Sequence, residues 1–472
     1  MVKTKLIFAF FLAAALLCSA QTRFPDTPAA HQFSAWLDAF NSGDRAVLLE
    51  YLQKNNPSHA ADIDQEFGFR NQTGGFDFKK VEESAPTRLT GIVKERASDQ
   101  FARFTIEVES AEPHRVTQLE LRAIPPPAEF PMPRMSQDAA LTALRAEVEK
   151  AAAADRFSGT ILIAKDGKPV FTAAYSLADR EKRIPNKLDT RFRIGSMNKM
   201  FTAVSVLQLV QAGKINLTDP LGKYLTDYPN QDVASKVTIH HLLTHSGGTG
   251  DFFGPQFDAH RLELRTLQDY VKLYGKRGLE FEPGGRWAYS NYGFLLLGVL
   301  IEKVSGQSYY DYVLEHVYKP AGMTSTASLS EDQAVPDRSV GYTKSGGGDA
   351  CKPNTDTLPW RGTSAGGGYS TVEDLLRFAN ALQNHKLLDA RHTELLTTGK
   401  MDAFNGGKYA YGFIDQTSGG VRCFGHGGGA PGMNGDLRIC PQSGYVIAAL
   451  ANLDPPAAQR IADFAANRLP EK

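Results

Sequence analysis

A chain of 472 residues is too long for one hydrophobic core and implies two or three domains. Its 52 basic and 52 acidic residues cancel, so no net field draws it to nucleic acid or to an anionic membrane. Hydrophobic residues make up 42% of the chain, the share of an ordinary soluble globular protein.

The first twenty residues read as a targeting signal. Lys3 and Lys5 form a basic start, Leu6 to Leu17 an apolar run, and Cys18-Ser19-Ala20 a small-residue cleavage site. The apolar run is too short to span a bilayer, which weakens the reading as a retained anchor. Cys18 invites a lipoprotein reading, against which stands the bulk of Leu17 just before it. Cleavage after Ala20 and export to the periplasm or the exterior are expected. No later segment is long enough to span a membrane, since the apolar stretch Phe294 to Ile301 stops at Glu302.

Residues 21–124 read as a small α+β domain. Phe33, Trp36, Leu37 and Phe40, then Leu48, Leu49 and Leu52, follow helical spacing, with Gly43 dividing them into two helices. Strand-like runs follow at Phe76 to Val81, Thr90 to Lys94, Phe101 to Val108 and Val116 to Ile124. In the third, Phe104, Ile106 and Val108 alternate with polar residues, as in a half-buried strand. The layout resembles the cone-shaped domains of the nuclear-transport-factor-2-like group. It holds no catalytic constellation.

Five prolines between Pro125 and Pro133 predict a stiff linker over residues 125–135. The second domain, 136–472, opens with a helix from Ser136 to Ala154 capped by Ser136. Gly159 to Ala164 and Pro169 to Tyr175 read as strands around the turn Asp166-Gly167. Helices dominate the middle. Strands return at Tyr409 to Asp415, Val421 to His426, Asp436 to Cys440 and Tyr445 to Asn452. Strands at both ends with helices between predict one antiparallel sheet and a helical lobe, an α+β fold. Ser345 to Asp349 reads as a flexible loop.

One serine is followed by lysine three residues later, in Ser196-Met197-Asn198-Lys199 at the start of a helix expected over Met197 to Ala212. Helical periodicity puts the hydroxyl and the amine on one face. A serine needs a base to take its proton, and a lysine shut away from water gives up its charge more easily. Phe201, Val204, Val206, Leu207, Leu209 and Val210 supply the apolar surroundings. The blander reading is an N-cap serine followed by an exposed lysine.

Two Tyr-x-Asn triplets occur. Tyr228-Pro229-Asn230 reads as a surface loop. Tyr289-Ser290-Asn291 leads into the apolar helix around Phe294 to Leu300, and beside a cationic amine its phenol is expected to give up its proton more readily. Two His-x-Gly triplets occur as well. His245-Ser246-Gly247 reads as a helix end and turn. His426-Gly427-Gly428 prolongs a strand, whose glycines let a substrate lie along the edge with backbone N–H groups aimed at a developing oxyanion.

The order Ser196-x-x-Lys199, Tyr289-x-Asn291, His426-x-Gly428 resembles the serine β-lactamase and penicillin-binding family, in its class C, D,D-peptidase and esterase-like branch. The likeness runs from about Ser136 to the C-terminus, with Arg191 to Gly195, His241 to Gly247 and Gly425 to Gly432 as supporting context. It implies a β-lactamase-like antiparallel sheet flanked by helices. It further implies Ser196 as the acylated nucleophile, Lys199 as its proton acceptor, Tyr289 as base or relay and Asn291 as an orienting amide. His426 stands where many relatives carry lysine, and the N–H groups of Ser196 and Gly429, with Gly428 beside them, form the oxyanion and substrate site. The substitution of histidine for lysine and the glycine at 427 put carboxylated β-lactams in doubt and leave an ester, lactone or peptide-like amide open. No cofactor is implied, and the partner is a small-molecule or peptide-like substrate.

Two rival readings remain. His240, His241 and His245 could hold a metal, but no glutamate follows the first as His-Glu-x-x-His requires. A non-catalytic penicillin-binding-like protein that retains the fold is the other. After signal cleavage Cys351, Cys423 and Cys440 remain, an odd number that leaves at least one free thiol. A disulfide between Cys423 and Cys440 and two unpaired buried thiols are both open.

Overall fold

The computed structural model describes residues 24–344, 351–403 and 406–472; the expected signal segment and the loop Ser345 to Asp349 lie outside them. Within these residues the chain forms two compact units. One comprises residues up to Ala97 with Phe101–Ala123, the other Ser98–Gln100 with Ile124–Lys472.

In the first unit, α1 (Pro28–Ser42) and α2 (Arg45–Asn55) are separated at Gly43, whose φ of 70° ends α1 in the left-handed conformation that glycine tolerates. Two further helices, α3 (Pro57–Ala60) and α4 (Ile63–Thr73), were not expected. Only Ile63 and Thr73 of α4 are buried, so no apolar stripe marks it in the sequence. The strands β1 (Phe76–Ala85), β2 (Arg88–Glu95), β3 (Phe101–Val108) and β4 (Val116–Ile124) form a sheet in chain order. Phe33 of α1 stacks on Phe104 of β3 with ring centres 3.7 Å apart. The apolar stripe predicted for α1 is therefore the face that covers the sheet.

The second unit is organised by an eight-stranded sheet. Ile161 to Ala164 of β5 (Gly159–Lys165) are all buried, Ile161 and Ile163 on one face and Leu162 and Ala164 on the other. A strand covered on both faces reads as a continuous apolar run, not an alternating one. β5 pairs with β6 (Lys168–Tyr175) through a turn in which Asp166 and Gly167 both have positive φ, as a two-residue hairpin requires.

The remaining strands come from the C-terminal third. They are β7 (Met401–Asp402), β8 (Lys408–Tyr409), β9 (Ile414–Ser418), β10 (Val421–Ala430), β11 (Met433–Cys440) and β12 (Tyr445–Ala451). The sheet order is β7-β8-β9-β10-β11-β12-β5-β6, with every neighbouring pair antiparallel. The strand expected over Tyr409 to Asp415 is broken, because Gly412 turns the chain with φ 70°.

One face of the sheet carries α5 (Gln137–Ala153) and the C-terminal helix Ala457–Arg468, sharing a core with Ile161, Ile447 and Ala449. The other face carries the helical lobe. It contains α6 (Asn198–Gln211), α7 (Ile239–Leu243), α8 (Asn291–Ser305) and α9 (Val372–Gln383). Here Leu437, Ile439 and Leu450 meet Phe201, Val204 and Leu295. Residues 125–135 contain neither helix nor strand. No helix among the described residues is long and apolar enough to cross a membrane. Tyr228, expected on a surface loop, is instead buried, its hydroxyl 3.1 Å from that of Tyr292.

Cys423 and Cys440, one step beyond the paired Phe424 and Ile439 of β10 and β11, have Cα atoms 4.1 Å apart and form a disulfide. This cross-strand placement brings the two β-carbons within bridging range, which sequence spacing alone did not decide. Cys351 is free.

Candidate active site

Ser196 sits in a tight turn, Gly195–Met197, that feeds α6. Its hydroxyl caps no helix, which removes the reading as a simple N-cap. Lys199, one turn on, is fully buried. Its Nζ lies 3.2 Å from Ser196 Oγ, 2.7 Å from Asn291 Oδ1 and 2.5 Å from the carbonyl oxygen of Ala365. Burial is the main cause that lowers the pKa of this amine from 10.5 to about 7, against the opposing pull of the Asp251 carboxylate.

Asn291 opens α8, which Ser290 caps by accepting the N–H of Gly293 at 2.9 Å. The Ala365 carbonyl belongs to a loop pinned by α6: Asn198 donates to the Thr363 carbonyl at 2.8 Å, and Thr202 to that of Ser364 at 2.7 Å. A backbone acceptor leaves no side-chain signature, so Ala365 was not legible in the sequence.

The Tyr289 ring faces the same amine, its centre 4.7 Å from Lys199 Nζ. Burial raises the pKa of its phenol, partly offset by a hydrogen bond with Ser196 and reinforced by the charge of Asp251. The expectation that Tyr289 sheds its proton more readily is thus reversed. The cost of holding a phenolate away from water outweighs the hydrogen bond that favours it.

His426 lies on β10, 5% exposed. Its Nδ1 is 2.5 Å from the Gly427 carbonyl, which can only accept, so Nδ1 carries the hydrogen and Nε2 accepts from Tyr409 at 3.0 Å. Burial, and then the neighbouring Lys199, push the His426 pKa down to about 3. This histidine is neutral throughout the physiological range.

Glycine at 428 is a steric necessity, because a β-carbon there would come within 1.9 Å of the Ile194 carbonyl. Gly429 N stands 3.1 Å from where a side chain on Gly195 would begin, beside the Ser196 turn. β9 pairs with β10 only as far as Gly425, so His426 to Ala430 run on past the end of their neighbour.

Along this stretch lies a cleft of about 490 Å³, lined by Ser196, Tyr289, His426 and Gly427 to Gly429. It continues to Asp436, Arg438 and Gln459. Arg438 is the one lysine or arginine among the described residues lining it. That guanidinium is held by Asp436 at 3.0 Å and Asp463 at 2.6 Å.

The structure also gives the second His-x-Gly triplet a place that its sequence context hid. His245, 1% exposed, packs its ring 4.3 Å from that of Tyr289 and 4.5 Å from that of Tyr409, and its Nδ1 accepts the Ser290 N–H at 3.1 Å. Its neighbours go elsewhere: His240 Nδ1 meets the Tyr411 hydroxyl and His241 Nδ1 accepts the Thr238 N–H. Among the described residues no group of three His, Cys, Asp or Glu is placed to hold a metal ion.

A family model described as Beta-lactamase matches residues 144–471. Two Bacillus subtilis relatives whose names describe them as penicillin-binding proteins are 32% and 35% identical, over 54% and 36% of this chain. The chain spans 62% and 38% of their lengths. Among solved structures, a penicillin-binding protein from Bacillus halodurans is 34% identical with a TM-score of 0.62, covering 67% of this chain and 99% of that one. A D-stereospecific amidohydrolase from Streptomyces sp. is 29% identical with a TM-score of 0.58, covering 69% of this chain and 96% of that one. The family model does not extend into the first unit.

Proposed function

Because the chain belongs to the β-lactamase family, we propose that it is an exported serine hydrolase that forms an acyl-enzyme at Ser196. The observation that carries the reading is a lysine amine of pKa about 7 within 3.2 Å of a cleft-lining serine hydroxyl. At neutral pH about half of such amines carry a free lone pair. Neutral Lys199 takes the Ser196 proton as Oγ bonds to the substrate carbonyl carbon, and the carbonyl oxygen becomes an oxyanion held by the N–H groups of Ser196 and Gly429. Tyr289, protonated at rest, relays a proton to the leaving group as its bond to carbon breaks, while Asn291 orients the lysine. Water then releases the acyl group by the reverse transfers.

The substrate class follows from charge. His426 is neutral, Gly427 offers no hydroxyl, and Arg438 is already paired with two carboxylates. A substrate carboxylate would find no free cation among the described residues lining the cleft, which favours an uncharged ester, lactone or amide. The names of the relatives, penicillin-binding protein and amidohydrolase, keep peptide-like amides in the set. Export is supported by the signal-like N-terminus and by the Cys423–Cys440 disulfide, which persists in oxidising compartments.

The test is a hydrolysis panel of short-chain esters, D-amino-acid amides and a chromogenic cephalosporin, with covalent labelling by a fluorophosphonate. Labelling and turnover should be present in the wild type and absent in Ser196→Ala. Failure of the wild type to label would favour the non-catalytic binding protein instead.

A further inference from the structure

A neutral lysine amine has two N–H donors and one lone pair. If Asn291 Oδ1 and the Ala365 carbonyl take the two donors, the lone pair is left facing Ser196 Oγ–H. That holds only while the Asn291 amide keeps its oxygen toward the lysine. Turned over, its Nδ2 would donate into the lone pair and remove the base.

Asn291 has no means of choosing between the two orientations by itself. Asp251 supplies the choice: its Oδ2 accepts from Asn291 Nδ2 at 2.8 Å, and a carboxylate can only accept. The carboxylate is itself fixed. Its Oδ1 accepts the N–H groups of Phe252 at 2.6 Å and Phe253 at 3.3 Å, while Arg277 donates to the Asp251 carbonyl at 2.5 Å. The preceding residues of the same loop hold the rest of the motif: Ser290 N–H donates to His245, and Ser290 Oγ donates to the Gly250 carbonyl.

We propose that Asp251 is a positioning residue for the hydrolysis, fixing the Asn291 amide so that the lone pair of Lys199 faces Ser196. This rests on the serine-hydrolase reading above. Asp251 also acts through its charge, since an anion nearby favours the protonated lysine. The other titratable groups facing Lys199 are Tyr289, kept protonated by burial, and His245 and His426, both kept neutral. Around Asp251 itself stand Arg277 and Tyr274.

Two variants of the full chain test the assignment, Asp251→Asn and the swap Asp251→Asn with Asn291→Asp. Each is assayed for ester hydrolysis from about pH 5 to about pH 9 beside Ser196→Ala. Asp251→Asn removes the charge and lets the amide turn over. It should lose about tenfold or more in kcat with little change in KM, and the acid limb of kcat/KM should move to lower pH. The swap restores a fixed acceptor beside Lys199 but brings the anion closer, so its acid limb should move above that of the wild type. Wild-type kcat and an unmoved limb in Asp251→Asn would overturn the proposal. Should that variant not fold, an unmoved limb in the swap would overturn it equally. Full activity in Ser196→Ala would instead bring down the hydrolase reading and this inference with it, whereas an inactive Ser196→Ala beside a wild-type Asp251→Asn would remove the inference alone.

Discussion

Replacing Lys199 with methionine should abolish hydrolysis and, at neutral pH, make the protein more stable. The amine is fully buried and its pKa falls from 10.5 to about 7. At about 1.4 kcal/mol for each tenfold change in proton affinity, that drop represents about 5 kcal/mol. The sign follows from proton binding. Between about pH 7 and 10.5 the unfolded chain holds a proton that the folded protein lacks, so wild-type stability rises with pH across that window, and the full cost is carried below it. Methionine fills a similar volume without a charge, but it leaves Asn291 Oδ1 and the Ala365 carbonyl without their donor, at about 1–2 kcal/mol each. Lys199→Met should therefore gain about 1–3 kcal/mol over wild type at pH 6.5 and lose that advantage by about pH 9.5, the difference between the two proteins changing by about 3 kcal/mol. Urea unfolding followed by tryptophan fluorescence, with Trp287 and Trp360 in the second unit, measures it. Parallel stability curves for the two proteins over this range would show that Lys199 is not held deprotonated by burial and would remove the basis for its role as a base.

The acid limb of wild-type kcat/KM should fall near pH 7, with activity rising as Lys199 loses its proton; His426, held near 3, should add no limb above about pH 4. A flat profile from about pH 6 to 8 contradicts this. Tyr409→Phe removes the donor to His426 Nε2 and should cost about 1–3 kcal/mol of stability, measured by urea unfolding, with a lower kcat. Reducing the Cys423–Cys440 bridge, which joins residues 17 apart across the strand bearing His426, should lower stability by about 3 kcal/mol. A thermal scan with and without reductant, using Cys423→Ala as the control, reads that loss.

The amino-acid sequence by itself determined which residues meet over short range and what the two ends of the second unit build. Ser196 and Lys199 share a helical face because they are three residues apart, and their apolar neighbours foretold the burial that depresses the lysine. β5 and β6 were legible from an apolar run beside Asp166-Gly167, since strand and turn preferences act locally. Tertiary structure decided the rest. Ala365 reaches Lys199 from 166 residues away through a backbone carbonyl, Asp251 sets an amide 40 residues on, and His245, in a triplet that locally reads as a turn, packs on Tyr289. The proton affinity of Tyr289 likewise depended on how deeply the fold buries it, not on the cationic neighbour that its motif suggested. Each of these is a contact or a desolvation assembled from distant segments. Local periodicity carries no record of them, because their energies exist only once the sheet and the helical lobe have closed around the site.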